Sequence, residues 1–153
     1  PEANFNAPGL VVIAGAKAAV DLAIQACKDA GAKRAVALDV SGPFHSPLMA
    51  PAAEEFSKIL DATAVQMPRI TVVQNVEAKP AGNEHQIRAN LVAQLSAPVR
   101  WTETIERLVN DGAQQFIESG PGNVLSGLVK RIARGTPTVA LSSNEGLESA
   151  IGL

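Results

Sequence analysis

A chain of 153 residues, 46% apolar and 18% charged, is long enough for a core of its own and too apolar to be a disordered segment. Thirteen basic and fifteen acidic residues are interspersed and give a net charge of −2, which excludes the basic footprint of a nucleic-acid binder. No apolar run reaches the length of a membrane span and no signal peptide opens the chain; the single cysteine cannot form an internal disulfide, which suits a reducing cytoplasm.

The opening Pro1-Glu2-Ala3-Asn4-Phe5-Asn6-Ala7-Pro8-Gly9 has no initiator Met and runs straight into a strand pattern at 10–13, so an internal break point with more protein upstream is expected. Residues 17–30 keep helical spacing, with Val20, Ile24 and Cys27 on one face and Gly31 closing the helix. That setting predicts Cys27 as a buried structural thiol. Residues 34–40 read as a second strand. Ser46 then stands as N-cap with Pro47 at the first helical position, and Pro51 distorts the first turn of a helix running to about residue 60.

The pattern continues with a strand at 70–76, a polar turn at 79–83, a helix at 84–95 and a short helix after Trp101. A strand at 115–118, the turn Ser119-Gly120-Pro121-Gly122, a helix at 123–133, a strand at 138–141 and a short closing helix complete it. Alternating strands and helices predict an α/β class with a largely parallel sheet.

The chemistry concentrates in Val40-Ser41-Gly42-Pro43-Phe44-His45-Ser46-Pro47-Leu48-Met49. A histidine at the carboxyl end of a strand lies on the side where α/β folds place their sites. A helix N-terminus just beyond it favours the neutral ring that a general base requires. The same position also suits a structural histidine bonded to loop backbone. Ser46 is the neighbouring hydroxyl, but adjacent side chains diverge and capping claims it. No Gly-x-Ser-x-Gly elbow presents a nucleophile to the base. His85 sits in a polar stretch, and no ligand spacing resembles a metal site. The turn at Ser119 lacks the P-loop ending and the dinucleotide fingerprint, which leaves a tight strand-to-helix turn. Lys33 and Arg34 open a strand, either as a solvated edge or as a grip on phosphates.

Five stretches, taken together and in order, resemble the malonyl-CoA:acyl carrier protein transacylase family: Asn4-Phe5-Asn6-Ala7-Pro8-Gly9, Gly31-Ala32-Lys33-Arg34, Gly42 to Met49, Gln94-Leu95-Ser96-Ala97-Pro98-Val99-Arg100-Trp101, and Glu118-Ser119-Gly120-Pro121-Gly122-Asn123-Val124-Leu125. The resemblance spans nearly the whole chain but only the carboxyl-terminal half of the family. It implies an α/β fold in which residues 1–41 end a ferredoxin-like small subdomain as a β-α-β remnant. Residues 42–153 would then form the carboxyl-terminal part of an α/β-hydrolase-like large subdomain. It further implies ping-pong transfer of malonyl from CoA, through a seryl ester, to the phosphopantetheine thiol of acyl carrier protein in cytoplasmic fatty acid biosynthesis, with no metal and no cofactor beyond the CoA thioester.

By the same resemblance His45 is the base and the backbone carbonyl of Gln94 its orienting partner, Asn4 and Asn6 line the acyl cleft, and Lys33 and Arg34 contact CoA. Phe44 implies selection of malonyl over methylmalonyl, a discrimination of about 1–3 kcal/mol. Leu10 departs from a glutamine that many members carry. The family's serine nucleophile, carboxylate-binding arginine and oxyanion-hole glutamine have no match here. The fragment alone is therefore expected to be inactive, with the missing amino-terminal half or a second copy covering an exposed sheet edge. An acyltransferase domain of a polyketide or fatty acid synthase and a non-enzymatic α/β binding module are the alternatives.

Overall fold

The computed structural model describes residues 1–152. An antiparallel hairpin, β1 (Glu2–Ala7) and β2 (Leu10–Ile13), is followed by α1 (Lys17–Asp29). A 3₁₀ turn at Pro47–Met49 leads into α2 (Ala50–Asp61). Next come the two-residue strands β3 (Val73–Gln74) and β4 (Lys79–Pro80), then α3 (Glu84–Ala93) and α4 (Trp101–Asn110). The chain ends with β5 (Phe116–Glu118), α5 (Val124–Ile132), β6 (Thr138–Ala140) and α6 (Asn144–Ile151).

The class is α/β, but the sheet is not largely parallel as expected. Among the described residues, β1–β2 and β3–β4 pair antiparallel, and β5–β6 is the one parallel strand pair, in register Phe116↔Thr138 to Glu118↔Ala140. A parallel pair needs a crossover, and β5–α5–β6 is the unit that closes within this chain. The hairpin turn at Pro8-Gly9 requires a left-handed residue, and Gly9 supplies it at φ +72°.

The core lies where β1 meets α4 and α5. Ile105 of α4 is 1% exposed, Val129 of α5 and Ala3 and Ala7 of β1 are buried with it, and Thr102 Oγ1 donates to the Phe5 carbonyl at 2.9 Å. β1 also has a second neighbour. Phe5 N–H donates to the Val99 carbonyl at 2.9 Å and Val99 N–H to the Ala3 carbonyl at 2.8 Å, so residue 99 flanks β1 opposite β2. Small alanines let the two helices approach the strand closely, and the β1 strand owes its burial to them rather than to β-branched residues.

Four local expectations are corrected. Residues 34–40 carry no ladder: they pair with no strand among the described residues, and Val36, Leu38 and Val40 are each more than half exposed. Cys27 is exposed: α1 has no fully buried residue, and the partial cover of its apolar face at Val20, Ala23 and Ile24 does not reach position 27. Ser46 does hold the N-cap position, with Pro47 at the first position of a 3₁₀ turn, but its side chain makes no capping bond: the buried hydroxyl donates to the Pro43 carbonyl at 2.6 Å. The strand at 70–76 shrinks to Val73–Gln74, and the polar turn pairs back as β4. The close of α1 is as read: Gly31 at φ +86° gives the two backbone bonds Gly31 to Lys28 and Ala32 to Cys27 that satisfy the last carbonyls.

Candidate active site

His45 sits between Phe44 and the fully buried Ser46 at φ +58°, in the left-handed region that costs a residue with a Cβ about 1–2 kcal/mol. Two consecutive carbonyls hold it there. Its backbone N–H donates to Leu95 O at 3.1 Å, and its ring Nδ1 donates to Gln94 O at 2.8 Å. A carbonyl oxygen only accepts, so this contact assigns the proton to Nδ1 and leaves Nε2 of the neutral ring with a free lone pair. Gln94 is the C-cap of α3, and its carbonyl is one of the unpaired acceptors at the partly negative end of that helix. The ring thus faces a fixed dipole in place of a carboxylate.

A cleft of about 280 Å³ opens at this point, lined by Phe44, His45, Met49, Gln94 and Leu95. The Phe44 ring lies over Gly42, where an added Cβ would come 3.5 Å from it, and stays 46% exposed on the cleft side of the loop. A larger groove of about 440 Å³ runs elsewhere, along residues 66–72 against Gln74, Pro80 and Ile87; its single charged side chain is Arg69, which gives it no acid–base pair.

The structure therefore brings together Phe44, His45 and Gln94. It does not join the other sequence candidates to them. Asn4 and Asn6 lie half-buried on β1, alternating with the core-facing Ala3 and Ala7. Lys33 and Arg34 are exposed on the ladder-free segment, without an ion pair among the described residues. His85 is exposed in the first turn of α3, and no cluster of metal-ligating side chains occurs among the described residues. Met49 and the Leu95 carbonyl are cleft elements that sequence reasoning passed over. Both stand beside residues it chose, so proximity in the chain was the available signal.

The Ser119–Gly122 turn is a strand-to-helix turn with an internal anion. Glu118 at the end of β5 accepts from Leu125 N–H at 3.0 Å and from Ser126 N–H at 2.7 Å, filling the N-terminus of α5. Burial works against ionisation of this carboxyl. The two backbone donors, Ser126 and Leu125 N–H, outweigh it and hold the group below the ordinary glutamate range.

Residues 2–143 match the model of the acyl transferase domain, and the chain belongs to that family. Its relatives within the family include malonyl CoA-acyl carrier protein transacylases. The malonyl CoA-acyl carrier protein transacylase of Bacillus subtilis is 47% identical over 149 residues, 97% of this chain and 47% of that protein; the Haemophilus influenzae transacylase is 54% identical over 129 residues, 84% of this chain and 41% of that protein. The crystal structure of the Xanthomonas oryzae transacylase superposes with a TM-score of 0.96 at 40% identity, over 99% of this chain and 48% of that one. A malonyl-transacylase solved in complex with a type II polyketide acyl carrier protein superposes at 0.95 with 46% identity, over 99% and 49%. The chain spans about half the length of the curated relatives it matches. No helix among the described residues is long and apolar enough to cross a membrane.

Proposed function

We propose that this chain supplies the base side of a malonyl-CoA:acyl carrier protein transacylase, with His45 as the general base and the Gln94 carbonyl as its orienting partner. The observation that carries the reading is the 2.8 Å contact from His45 Nδ1 to Gln94 O beside an open cleft. It leaves Nε2 as the acceptor for a hydroxyl proton. In the complete protein a serine outside this chain loses its proton to Nε2 and attacks the malonyl thioester, releasing CoA. The phosphopantetheine thiol of acyl carrier protein is activated in the same way and takes the malonyl group from the seryl ester, so His45 serves both halves of a ping-pong cycle. The reading needs no metal and no cofactor beyond the CoA thioester. The solved complex of a related transacylase with its carrier protein supports the choice of partner. It also supports the second reading, in which the carrier belongs to a polyketide synthase rather than to cytoplasmic fatty acid synthesis.

Asn4 and Asn6 line the acyl cleft in this reading, Lys33 and Arg34 meet CoA phosphates, and Leu10 contributes no polar contact to the pantetheine arm. Phe44, with its exposed ring next to the base, restricts the acyl group to malonyl. Residues 1–41 end a ferredoxin-like subdomain and 42–153 end a hydrolase-like one, although β1 is bonded across that boundary to Val99. The amino-terminal half, or a second copy, covers the exposed apolar side chains Val36, Leu38, Val40 and Ile117. The test is transfer of malonyl from malonyl-CoA to acyl carrier protein by this chain, alone and mixed with the amino-terminal half of the Bacillus subtilis relative. Transfer by the pair and none by the chain alone is expected; transfer by the chain alone contradicts the reading.

A further inference from the structure

The helix that carries the Gln94 carbonyl buries none of its large apolar side chains fully: Ile87, Leu91 and Val92 are half-buried. Among the residues of α3, Glu84-His85-Gln86-Ile87-Arg88-Ala89-Asn90-Leu91-Val92-Ala93, the one buried side chain is Asn90. Its hydrogen-bonded docking runs through polar side chains. Asn90 Nδ2 donates to Gln74 Oε1 at 3.0 Å and to Glu77 Oε2 at 3.1 Å. Gln86 Nε2 donates to the same Glu77 oxygen at 2.8 Å, and Gln74 Nε2 returns a bond to the Ile87 carbonyl at 3.3 Å. Arg88 ties the helix to the Leu60 and Thr63 carbonyls at the end of α2. Glu77 is held in turn by a strained turn, where the buried Ala78 sits at φ +51° with its N–H bonded to the Gln74 carbonyl at 3.0 Å. The backbone carbonyl of Asn90 accepts the Gln94 N–H at 3.0 Å. One residue therefore grips the β3–β4 hairpin with its side chain and the Gln94 peptide with its main chain.

We propose that Glu77 and Asn90 are positioning residues for His45: they lock α3 on the β3–β4 hairpin so that the Gln94 carbonyl meets Nδ1. The catalytic meaning of this rests on the reading of His45 as a base; the geometry does not. Where a helix's apolar side chains are only half-buried, they set its rotation weakly; a partly satisfied polar network then lets it turn or slide, and the carbonyl at its end moves with it.

The test is the tautomer of His45, read at alkaline pH from imidazole 15N–1H correlation spectra of the labelled chain, with His85→Gln separating the two histidines. The wild type shows the Nδ1–H form. Glu77→Gln, whose amide oxygen still accepts from Asn90 and Gln86, keeps it. Glu77→Ala lowers the Nδ1–H to Nε2–H ratio by about tenfold, the scale of one net hydrogen bond. If Glu77→Ala unfolds the chain, Gln86→Ala removes a single donor from Glu77 and shifts the ratio in the same direction by less. An unchanged ratio in a folded variant overturns the positioning role and leaves His45 as the base untouched. Loss of the base role through a transfer assay, conversely, leaves this spectrum as described.

Discussion

The two flanks of the His45 loop are built on different principles. On one flank, residues 42–100, ties are polar and long-range: His45 to Gln94, Arg88 to the end of α2, Asn90 and Gln86 to Glu77, and Arg100 N–H to the Asn75 carbonyl at 3.2 Å. On the other, residues 14–40, the side-chain bonds are local. Lys17 meets Asp21 and Gln25 meets Asp29, each one helical turn apart, α1 has no buried residue, and Leu22 is 74% exposed. A flank that orients a ring must be over-determined within the chain. A flank whose apolar side chains stay exposed gains little from packing, and its order is less stable.

The comparison breaks first at the core it shares. Ile105→Ala removes the largest fully buried apolar side chain, where β1, α4 and α5 meet, and is expected to cost about 3 kcal/mol in urea unfolding. Asn90→Ala, which strips Gln74 Oε1 of its donor and leaves Glu77 with Gln86 alone, should cost about 2 kcal/mol by the same measurement. A loss as small as that of a surface change would place α3's anchor elsewhere.

Glu118 offers a pH test outside both flanks. Its folded-state carboxyl lies below the ordinary value, so its contribution is complete above that value and disappears as the pH falls through the lowered one. Glu118→Gln should cost about 1 kcal/mol near neutrality and flatten the acid limb of stability against pH. At the small end, Leu22→Ser should stay within about 0.5 kcal/mol, and amides of 33–40 should exchange well before those of α3. Equal protection of the two segments would erase the distinction between the flanks.

What the sequence disclosed follows the range of each signal. The ends of α1, the start of α2 at the Pro47 turn and the helices near 84, 101 and 124 depend on residues within one turn, and each was legible. The His45 turn was legible too, since Gly42-Pro43 and Pro47 confine it from both sides. Residues 34–40 were misread because a strand is a property of two segments, and composition reports only one. Cys27 failed for the same reason: helical periodicity names a face and does not supply what covers it. The Ser46 side chain departs from its capping role more locally, since its hydroxyl is turned to donate to the Pro43 carbonyl and accepts from no helix N–H. The proximity of Gln94 to His45 could not be read from spacing, since they stand 49 positions apart; it came from family resemblance. Nothing in the sequence pointed to Glu77 and Asn90, whose pairing depends on the fold of the hairpin against α3.

The most direct measurement is the rate at which the reconstituted pair forms its malonyl ester, followed by intact mass of the amino-terminal half after addition of malonyl-CoA. With His45→Ala in this chain, the ester should form about 10²–10⁴-fold more slowly while the two halves still co-elute. Loading at the wild-type rate with alanine at position 45 would contradict the assignment of His45 as the base.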